Sequence, residues 1–194
     1  ELPRIRRFLP AFFLYSMALQ TVMLVAAYFG EEEIAWANSN EKTVGLIVSI
    51  LLIQIVAIFG AIFTAKASER FGNIPVLIVI NFIWVGLCII AYYTHTPLQF
   101  YYVAGFVGLV MGGLQSLSRS TYSKLLPKTI DTTSFFSFYE ITEKIGIVFG
   151  MIFYAVAAQI TGTVRFSVII FMFFFFLGAI LLTRVPRIDR NKLA

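Results

Sequence analysis

Phe166-Ser-Val-Ile-Ile-Phe-Met-Phe-Phe-Phe-Phe-Leu-Gly-Ala-Ile-Leu-Leu-Thr183 contains no charged residue. It is close to the roughly 20 apolar residues that a helix needs to cross a bilayer core of about 30 Å. Working outward from it, five more stretches read the same way: Phe8–Phe29, Thr43–Ala65, Ile74–Tyr93, Leu98–Leu117 and Phe135–Ala158. All six are expected to be helices, because a lone strand leaves its backbone polar groups unpaired in hydrocarbon. The runs are also too uniformly apolar for barrel strands, which alternate over about ten residues. The whole chain of 194 residues agrees, with 59% hydrophobic and only 13% charged residues, 21 of its residues being phenylalanine. Soluble domains carry about 25% charge. With half of that, and a mean hydropathy of +0.87, the surrounding solvent must be lipid. A soluble enzyme, a disulfide-stapled secreted domain and a disordered tail are excluded. Cys88, the single cysteine, forbids an internal disulfide or a multi-cysteine metal site.

Orientation follows from the basic residues. With both ends on one side, that side carries Arg4, Arg6, Arg7, Lys66, Arg70, Arg119, Lys124, Lys128, Arg184, Arg187, Arg190 and Lys192, and the other only Lys42 and Arg165. The positive-inside rule then makes both termini cytoplasmic, and the expected location is a bacterial inner (plasma) membrane. Glu31, Glu32, Glu33 and Glu41 fall on the opposite face, so the net charge of +5 is a topology signal and no nucleic-acid partner is implied. Tyr92, Tyr93, Tyr101 and Tyr102 flank the third-to-fourth turn, where an aromatic belt would sit. Residues 1–7 read as the end of a cytoplasmic linker, residues 8–184 as a six-helix transmembrane bundle and residues 185–194 as a cytoplasmic tail. The first apolar run is too long for a cleavable signal and lacks a small-residue cleavage site. Pro10 and Pro75 fall in the first turns of their spans, where proline is tolerated. Pro97 marks a turn, and Asp131, Thr132, Thr133 and Ser134 are candidate N-caps of the fifth span.

Shifted by 90 residues, the chain matches itself. Gly60-Ala-Ile-Phe-Thr-Ala-Lys-Ala-Ser-Glu-Arg-Phe-Gly72 lies over Gly150-Met-Ile-Phe-Tyr-Ala-Val-Ala-Ala-Gln-Ile-Thr-Gly162, with Gly60, Ile62, Phe63, Ala65, Ala67 and Gly72 repeated. Small-residue helix ends can agree by chance. Against that, the offset puts the second span on the fifth and the third on the sixth, with opposite membrane orientation. Lys66, Glu69 and Arg70 become Val156, Gln159 and Ile160, the exchange that crossing to the other face demands. A 3+3 inverted repeat of transmembrane helices is one half of a major facilitator fold.

Ala65-Lys-Ala-Ser-Glu69-Arg70-Phe-Gly72 resembles the cytoplasmic signature loop of the major facilitator superfamily, with Arg70 and Gly72 kept and Glu69 in place of its aspartate. An acid–arginine pair there can latch one helix bundle to its neighbour; a solvated basic loop is the plainer reading. Closer still is the likeness to one branch, the vacuolar amino-acid effluxer-like family named for a yeast autophagy protein. It rests on Tyr15-Ser-Met-Ala-Leu-Gln20-Thr21, on Gln54, on Gly113-Leu-Gln115-Ser-Leu-Ser-Arg119-Ser120 through Leu126-Pro127, on Phe135-Phe-Ser-Phe-Tyr139 and on Lys144. The resemblance covers nearly the whole chain as the C-terminal six helices of a twelve-helix carrier. The chain departs from the family at Met17-Ala18, where Asp-Gly is frequent, so a protonatable group is missing from the first helix.

Polar residues inside spans are costly and mark paths or partners. The third and sixth spans carry almost none (Asn81 is the exception) and read as outer, lipid-facing helices; the first, second, fourth and fifth should line the interior. Gln20 lies about 18 Å along the first span, near the midplane, and Gln54 near the middle of the second. Each either bridges two helices or hydrogen-bonds a polar solute, and Gln115 joins them as candidate lining. In Glu140-Ile-Thr-Glu143-Lys144, Glu140 and Lys144 have the spacing of a helical ion pair. That leaves Glu143 to pair with Arg119, to carry a proton or to meet solute. The three charges form an ion network or gate, a substrate or proton site, or, since Glu140 is about 8 Å from the span's start, an exposed end. Gly108 with Gly112, and Gly146 with Gly150, have the spacing of close helix contacts. His95 belongs to a solvated turn. Ser118, Ser120 and Ser123 lack a His–Asp partnership, so no enzyme is expected. No metal, phosphate loop or cofactor is implied.

The reading is the C-terminal domain of a secondary active transporter that moves a small polar solute, an amino acid by resemblance, through alternating access. Its substrate-path residues are Gln20, Gln54, Gln115, Glu140, Glu143 and Lys144, with Glu69, Arg70 and Arg119 as the cytoplasmic latch. Its expected partners are the lipid bilayer, the solute and an N-terminal six-helix half or a second copy. The rival is a six-helix scaffold or partner-binding protein without a translocation path.

Overall fold

The computed structural model describes residues 2–126 and 132–185. Six helices fill them: α1 (Leu2–Glu33), α2 (Ser39–Phe71), α3 (Asn73–Tyr92), α4 (Pro97–Leu125), α5 (Thr132–Thr161) and α6 (Val164–Thr183). No strand occurs among the described residues. All six helices are long and apolar enough to span a membrane. The candidate cap Asp131 and the basic residues Lys128, Arg187, Arg190 and Lys192 lie outside the described residues.

All the helices but α3 outrun the apolar stretches that announce them, most of all where polar residues at their ends close the helix instead of breaking it. Asn38 caps α2, its Oδ1 accepting from the Glu41 N–H at 2.8 Å, so α2 starts four residues before Thr43. Thr96 and Gln99 form a capping box at α4 around Pro97, satisfying two donors that the first helical turn leaves open. At their far ends α2 and α5 stop at glycines with positive φ, Gly72 at 89° and Gly162 at 69°, a conformation that costs glycine nothing. Each of these N–H groups returns to the carbonyl four residues back, Ser68 and Ala158, at 2.9 Å.

Two consequences correct the reading above. Lys66, Glu69 and Arg70 belong to the last turns of α2, and only Gly72 forms the turn. Pro10 stands inside α1 instead of in its first turn, where its missing N–H leaves the Arg6 carbonyl without its usual helical donor. Ile5, within the stretch read as a linker end, is buried in the main apolar cluster.

The bundle is organised around α1, α3, α4 and α6. The closest pairing is α2 on α4; α1 packs on α6 and α5, and α3 on α6 and α4. Trp84 stacks on Phe175 at 4.9 Å between α3 and α6, with Leu77, Phe171 and Leu182 buried beside them. Coverage differs from the expectation that α3 and α6 stand outside. Of the apolar stretches of α2 and α5 only 17% is buried, against 39% for α3 and α6, 44% for α4 and 56% for α1. Apolar content tells how a helix tolerates lipid, not whether a protein neighbour covers it. On α3 and α6 one face packs inward, while Val79, Phe82, Phe173 and Phe176 remain exposed.

Close backbone approach welds α2 to α4. A Cβ placed on Gly60 would overlap the Leu109 carbonyl, one on Gly108 would meet the Ile53 carbonyl and one on Gly112 that of Ala57. Between α5 and α1 the approach is looser at Gly146, whose added Cβ would stand 3.5 Å from Met17, and tight at Gly150 against the Thr21 hydroxyl. One end of the bundle carries Glu31, Glu32 and Glu33 with the 34–38, 93–96 and 162–163 connections (the acidic end); the other is the basic end.

Candidate functional site

The seam where α1 meets α5 and α4 gathers most of the polar chemistry inside the spans. Near the middle of α1, the Gln20 amide donates through Nε2 to Oε1 of Glu143 on α5, both side chains being part-buried. A carboxylate that accepts an amide proton inside a bundle keeps part of the hydrogen bonding that water would supply, which lowers the cost of holding it there. One to two turns toward the basic end, the buried Tyr15 hydroxyl and the Ser118 hydroxyl share a hydrogen bond of 2.8 Å between α1 and α4. Ser118 also donates to the Leu114 carbonyl at 2.6 Å. Further on, Tyr122 of α4 donates to the Phe135 carbonyl of α5 at 2.8 Å. Tyr139 sits between these groups, its hydroxyl facing Arg119 and within electrostatic reach of Glu143.

Aromatic rings fix this geometry. Phe12 stacks on Tyr139 at 4.2 Å and meets Tyr15 edge-on at 5.7 Å, while Tyr122 and Tyr139 lie 5.0 Å apart. Phe12, Tyr15 and Tyr122 are all fully buried. Stacked and edge-on rings are stiff, low-entropy supports, so the Tyr139 and Tyr15 hydroxyls are held at fixed positions. The wall that results offers an amide, a carboxylate, phenols and a guanidinium along one seam. Such a set can hydrogen-bond a polar solute and match both signs of charge.

The candidate residues divide between this seam and the uncovered faces. Gln20, Glu143 and Arg119 come together through Tyr139, and Gln115 is half-buried on α4 one turn before Arg119. Gln54, Glu140 and Lys144 do not join them and are exposed on α2 and α5. Among the described residues Glu140 and Lys144 close no ion pair, although both are exposed on α5 at the spacing of one. Glu143 takes Gln20 as its hydrogen-bond partner, a pairing that was not among the alternatives read for it. Glu69 and Arg70 are exposed on the last turn of α2, the Arg70 guanidinium lying 5.4 Å from the Phe71 ring centre.

Tyr15, Ser118 and Tyr139 were not singled out as site residues, since a tyrosine or serine in an apolar helix reads as packing. The stronger omission is Arg165. Its Nε lies 3.0 Å from Glu33 Oε2, its NH1 donates to the carbonyls of Tyr92 and Thr94 and its NH2 to that of Glu33. Its guanidinium also lies 5.5 Å from the Phe29 ring centre. One arginine from the start of α6 thus ties down the C-terminal ends of α1 and α3, where helix dipoles favour a cation. The signal for it was present: Arg165 is one of only two basic residues placed on the acidic side.

Six helices, each long and apolar enough to span a membrane, define the chain as a polytopic membrane protein. It belongs to the family described as vacuole effluxer Atg22 like, whose model matches residues 1–192. It is 32% identical over 179 residues to the MFS-type transporter YxiO of Bacillus subtilis, which covers 92% of this chain and 40% of that protein. It is 30% identical over 198 residues to autophagy-related protein 22 of Eremothecium gossypii, covering 95% of the chain and 37% of the relative. To autophagy-related protein 22-1 of Penicillium rubens it is 29% identical over 208 residues, with 96% and 33% covered. The chain therefore spans two fifths or less of the length of these relatives. The family description names an effluxer and the Bacillus relative is named as a transporter; neither name is that of an enzyme.

Proposed function

We propose that the chain is one six-helix half of an alternating-access secondary transporter, whose α1/α4/α5 seam walls the path of a small polar solute. The carrying observation is the Gln20–Glu143 hydrogen bond. It joins α1 to α5 at mid-membrane depth, where carriers of this architecture bind solute. Amino acids are the solute class to try first, by the resemblance noted in the sequence.

Several observations support the 3+3 inverted repeat that this reading needs. Gly72 and Gly162, related by the 90-residue offset, are the two positive-φ residues among those described. Gly60 and Gly150, related by the same offset, sit at the α2–α4 and α5–α1 crossings. Exchanging α1 with α4, α2 with α5 and α3 with α6 carries the α2–α4 pairing into α5–α1 and α1–α6 into α4–α3, and returns α3–α6 to itself. The bared faces of α2 and α5 fit a second bundle, either a further six helices or a second copy of this chain. Glu69, Arg70 and Arg119 lie on the basic side, which the positive-inside rule makes cytoplasmic, and there they serve as its latch. A bacterial inner membrane fits the similarity to the Bacillus protein.

The test is counterflow in proteoliposomes containing the complete carrier. Radiolabelled amino acids or small polar metabolites should exchange, and Glu143→Gln should reduce exchange at least tenfold with folding intact. Unchanged exchange in Glu143→Gln removes the seam from the path. Vigorous counterflow by residues 1–194 alone, in monomeric form, removes the need for a second bundle.

A further inference from the structure

We propose that residues 151–161 of α5, at the acidic end, form a movable strap that opens and closes against α1. The strap is tied at both of its ends. On the basic side, Gly150 rests on the Thr21 hydroxyl, the Phe13 and Phe149 rings meet edge-on at 6.1 Å and Gln20 holds Glu143. On the other side α6 follows directly after the turn at Gly162, and Arg165 pins its start to Glu33 of α1. Between these ties α5 stands away from α1. A cleft of about 470 Å³ separates Leu24 and Tyr28 from Met151 and Tyr154, with the 162–164 turn at its end. The strap leans on α6 instead, where Phe153 meets Phe174 at 5.1 Å. At its foot Gly162 has a φ of 69° and open space where a Cβ would stand, so the backbone can swivel there as only glycine allows.

The corresponding crossing elsewhere in the bundle shows why this one is free to move. By the 90-residue offset of the self-match, α2 on α4 corresponds to α5 on α1, yet the glycines that let α2 and α4 touch are not repeated. Gly108, Gly112 and Gly113 of α4 become Ala18, Val22 and Met23 of α1. Against α4 the backbones of Gly60 and Leu109 meet, and Thr64, one turn further on, sits on Gly113. Against α1 larger side chains hold α5 off, and Tyr154, the counterpart of Thr64, borders the cleft. Two backbones in contact have one arrangement. Helices that meet through side chains slide by about 1–2 Å as the side chains repack, the shear motion of packed helices. Closing the cleft lays Met151 and Tyr154 on Leu24 and Tyr28 and buries no charge. The Gln20–Glu143 contact lies on the tied side of Gly150 and stays in place, so failure of the strap would leave the transport reading untouched.

The experiment is pulsed electron spin resonance on the chain in lipid nanodiscs, with Cys88→Ala so that only introduced cysteines carry nitroxide labels. One pair, Ala27→Cys with Ile160→Cys, reports on the distance between α1 and the strap. The other, Lys66→Cys with Ser116→Cys, reports on the α2–α4 weld. All four positions are exposed and none lines the cleft, so the labels neither prop it open nor disturb the core. The strap pair should give two distances, or one distribution at least about twice as broad as that of the weld pair. Gly162→Ala adds a methyl group that meets nothing within 4 Å but restricts the pivot. It should narrow the strap distribution toward one of its extremes and leave the weld pair as it was. A strap distribution as narrow as the weld's, equal breadth in both pairs, or indifference to Gly162→Ala would each overturn the assignment.

Discussion

Gly60 of α2 and Leu109 of α4 meet backbone to backbone, with no room between them for a methyl group. Helices in lipid gain little from hiding apolar surface, since the alternative neighbour is equally apolar, so contact quality decides their association. Gly60→Ala is therefore expected to destabilise the bundle by about 1–3 kcal/mol through overpacking. Gly86→Ala is its control: an added Cβ there meets nothing within 4 Å, and relief of the glycine helix cost of about 1 kcal/mol predicts equal or higher stability. Thermal unfolding of the two variants in one detergent compares them. Equal melting temperatures would remove the α2–α4 weld.

Arg165 gathers four acceptors from α1, the end of α3 and the turn that follows it, and with Glu33 it is largely screened from solvent, at 13% and 18% side-chain exposure. Arg165→Lys keeps the charge but loses the planar fork that reaches several carbonyls at once. A loss of about 2 kcal/mol is expected, close to that of Arg165→Gln. A double-mutant cycle with Glu33→Gln should return a coupling of at least about 1 kcal/mol. If lysine fully substitutes, the residue acts as a topology charge and no more.

The centres of all six helices were legible because hydrocarbon imposes one demand, twenty or so apolar residues, that the chain states plainly. Their ends were not. Asn38 and Thr96 are polar and look like loop, yet they are caps, and the stretch Lys66–Arg70 looks like a charged loop while still helical. Which helices lie bare was hidden too, since the apolar runs of α3 and α6 read identically whether lipid or Trp84 and Phe175 stand opposite. Gln20 and Glu143 could each be picked as a costly polar residue in a span. That one satisfies the other is a fact about two helices 123 positions apart. Arg165 was counted as a charge, and charge counts carry no information about which carbonyls a side chain reaches.

Tyr15→Phe tests how much the polar seam adds to stability. It deletes the bond to Ser118 but leaves Ser118 its Leu114 acceptor, so no buried hydroxyl is orphaned. The expected cost is about 1 kcal/mol. Ser118→Ala leaves the buried Tyr15 hydroxyl without that partner and should cost more, up to about 3 kcal/mol. Chemical denaturation in mixed micelles ranks the two. A reversed order would mean that Tyr15 finds another acceptor.

Ser167 poses the opposite case. It is fully buried on α6, and its hydroxyl finds no hydrogen-bond partner among the described residues, as is true of the Trp84 indole N–H. Both border a cavity of about 80 Å³ whose walls are otherwise almost wholly apolar: Val22, Val25, Leu87, Val107 and Phe171 among them. Such a space has volume for water, but Ser167 and Trp84 offer it only the low end of the two to four polar partners that hold one. Without a protein partner the hydroxyl carries a standing cost of about 1–3 kcal/mol. Ser167→Ala removes that cost for the loss of one small group, and is expected to raise the melting temperature in detergent where most substitutions in a packed core lower it. Ser167→Val, which also fills part of the void, should raise it further. A drop in both variants would show that the hydroxyl is satisfied by a water lodged in the cavity, and that the polar atoms there are part of a wet interior.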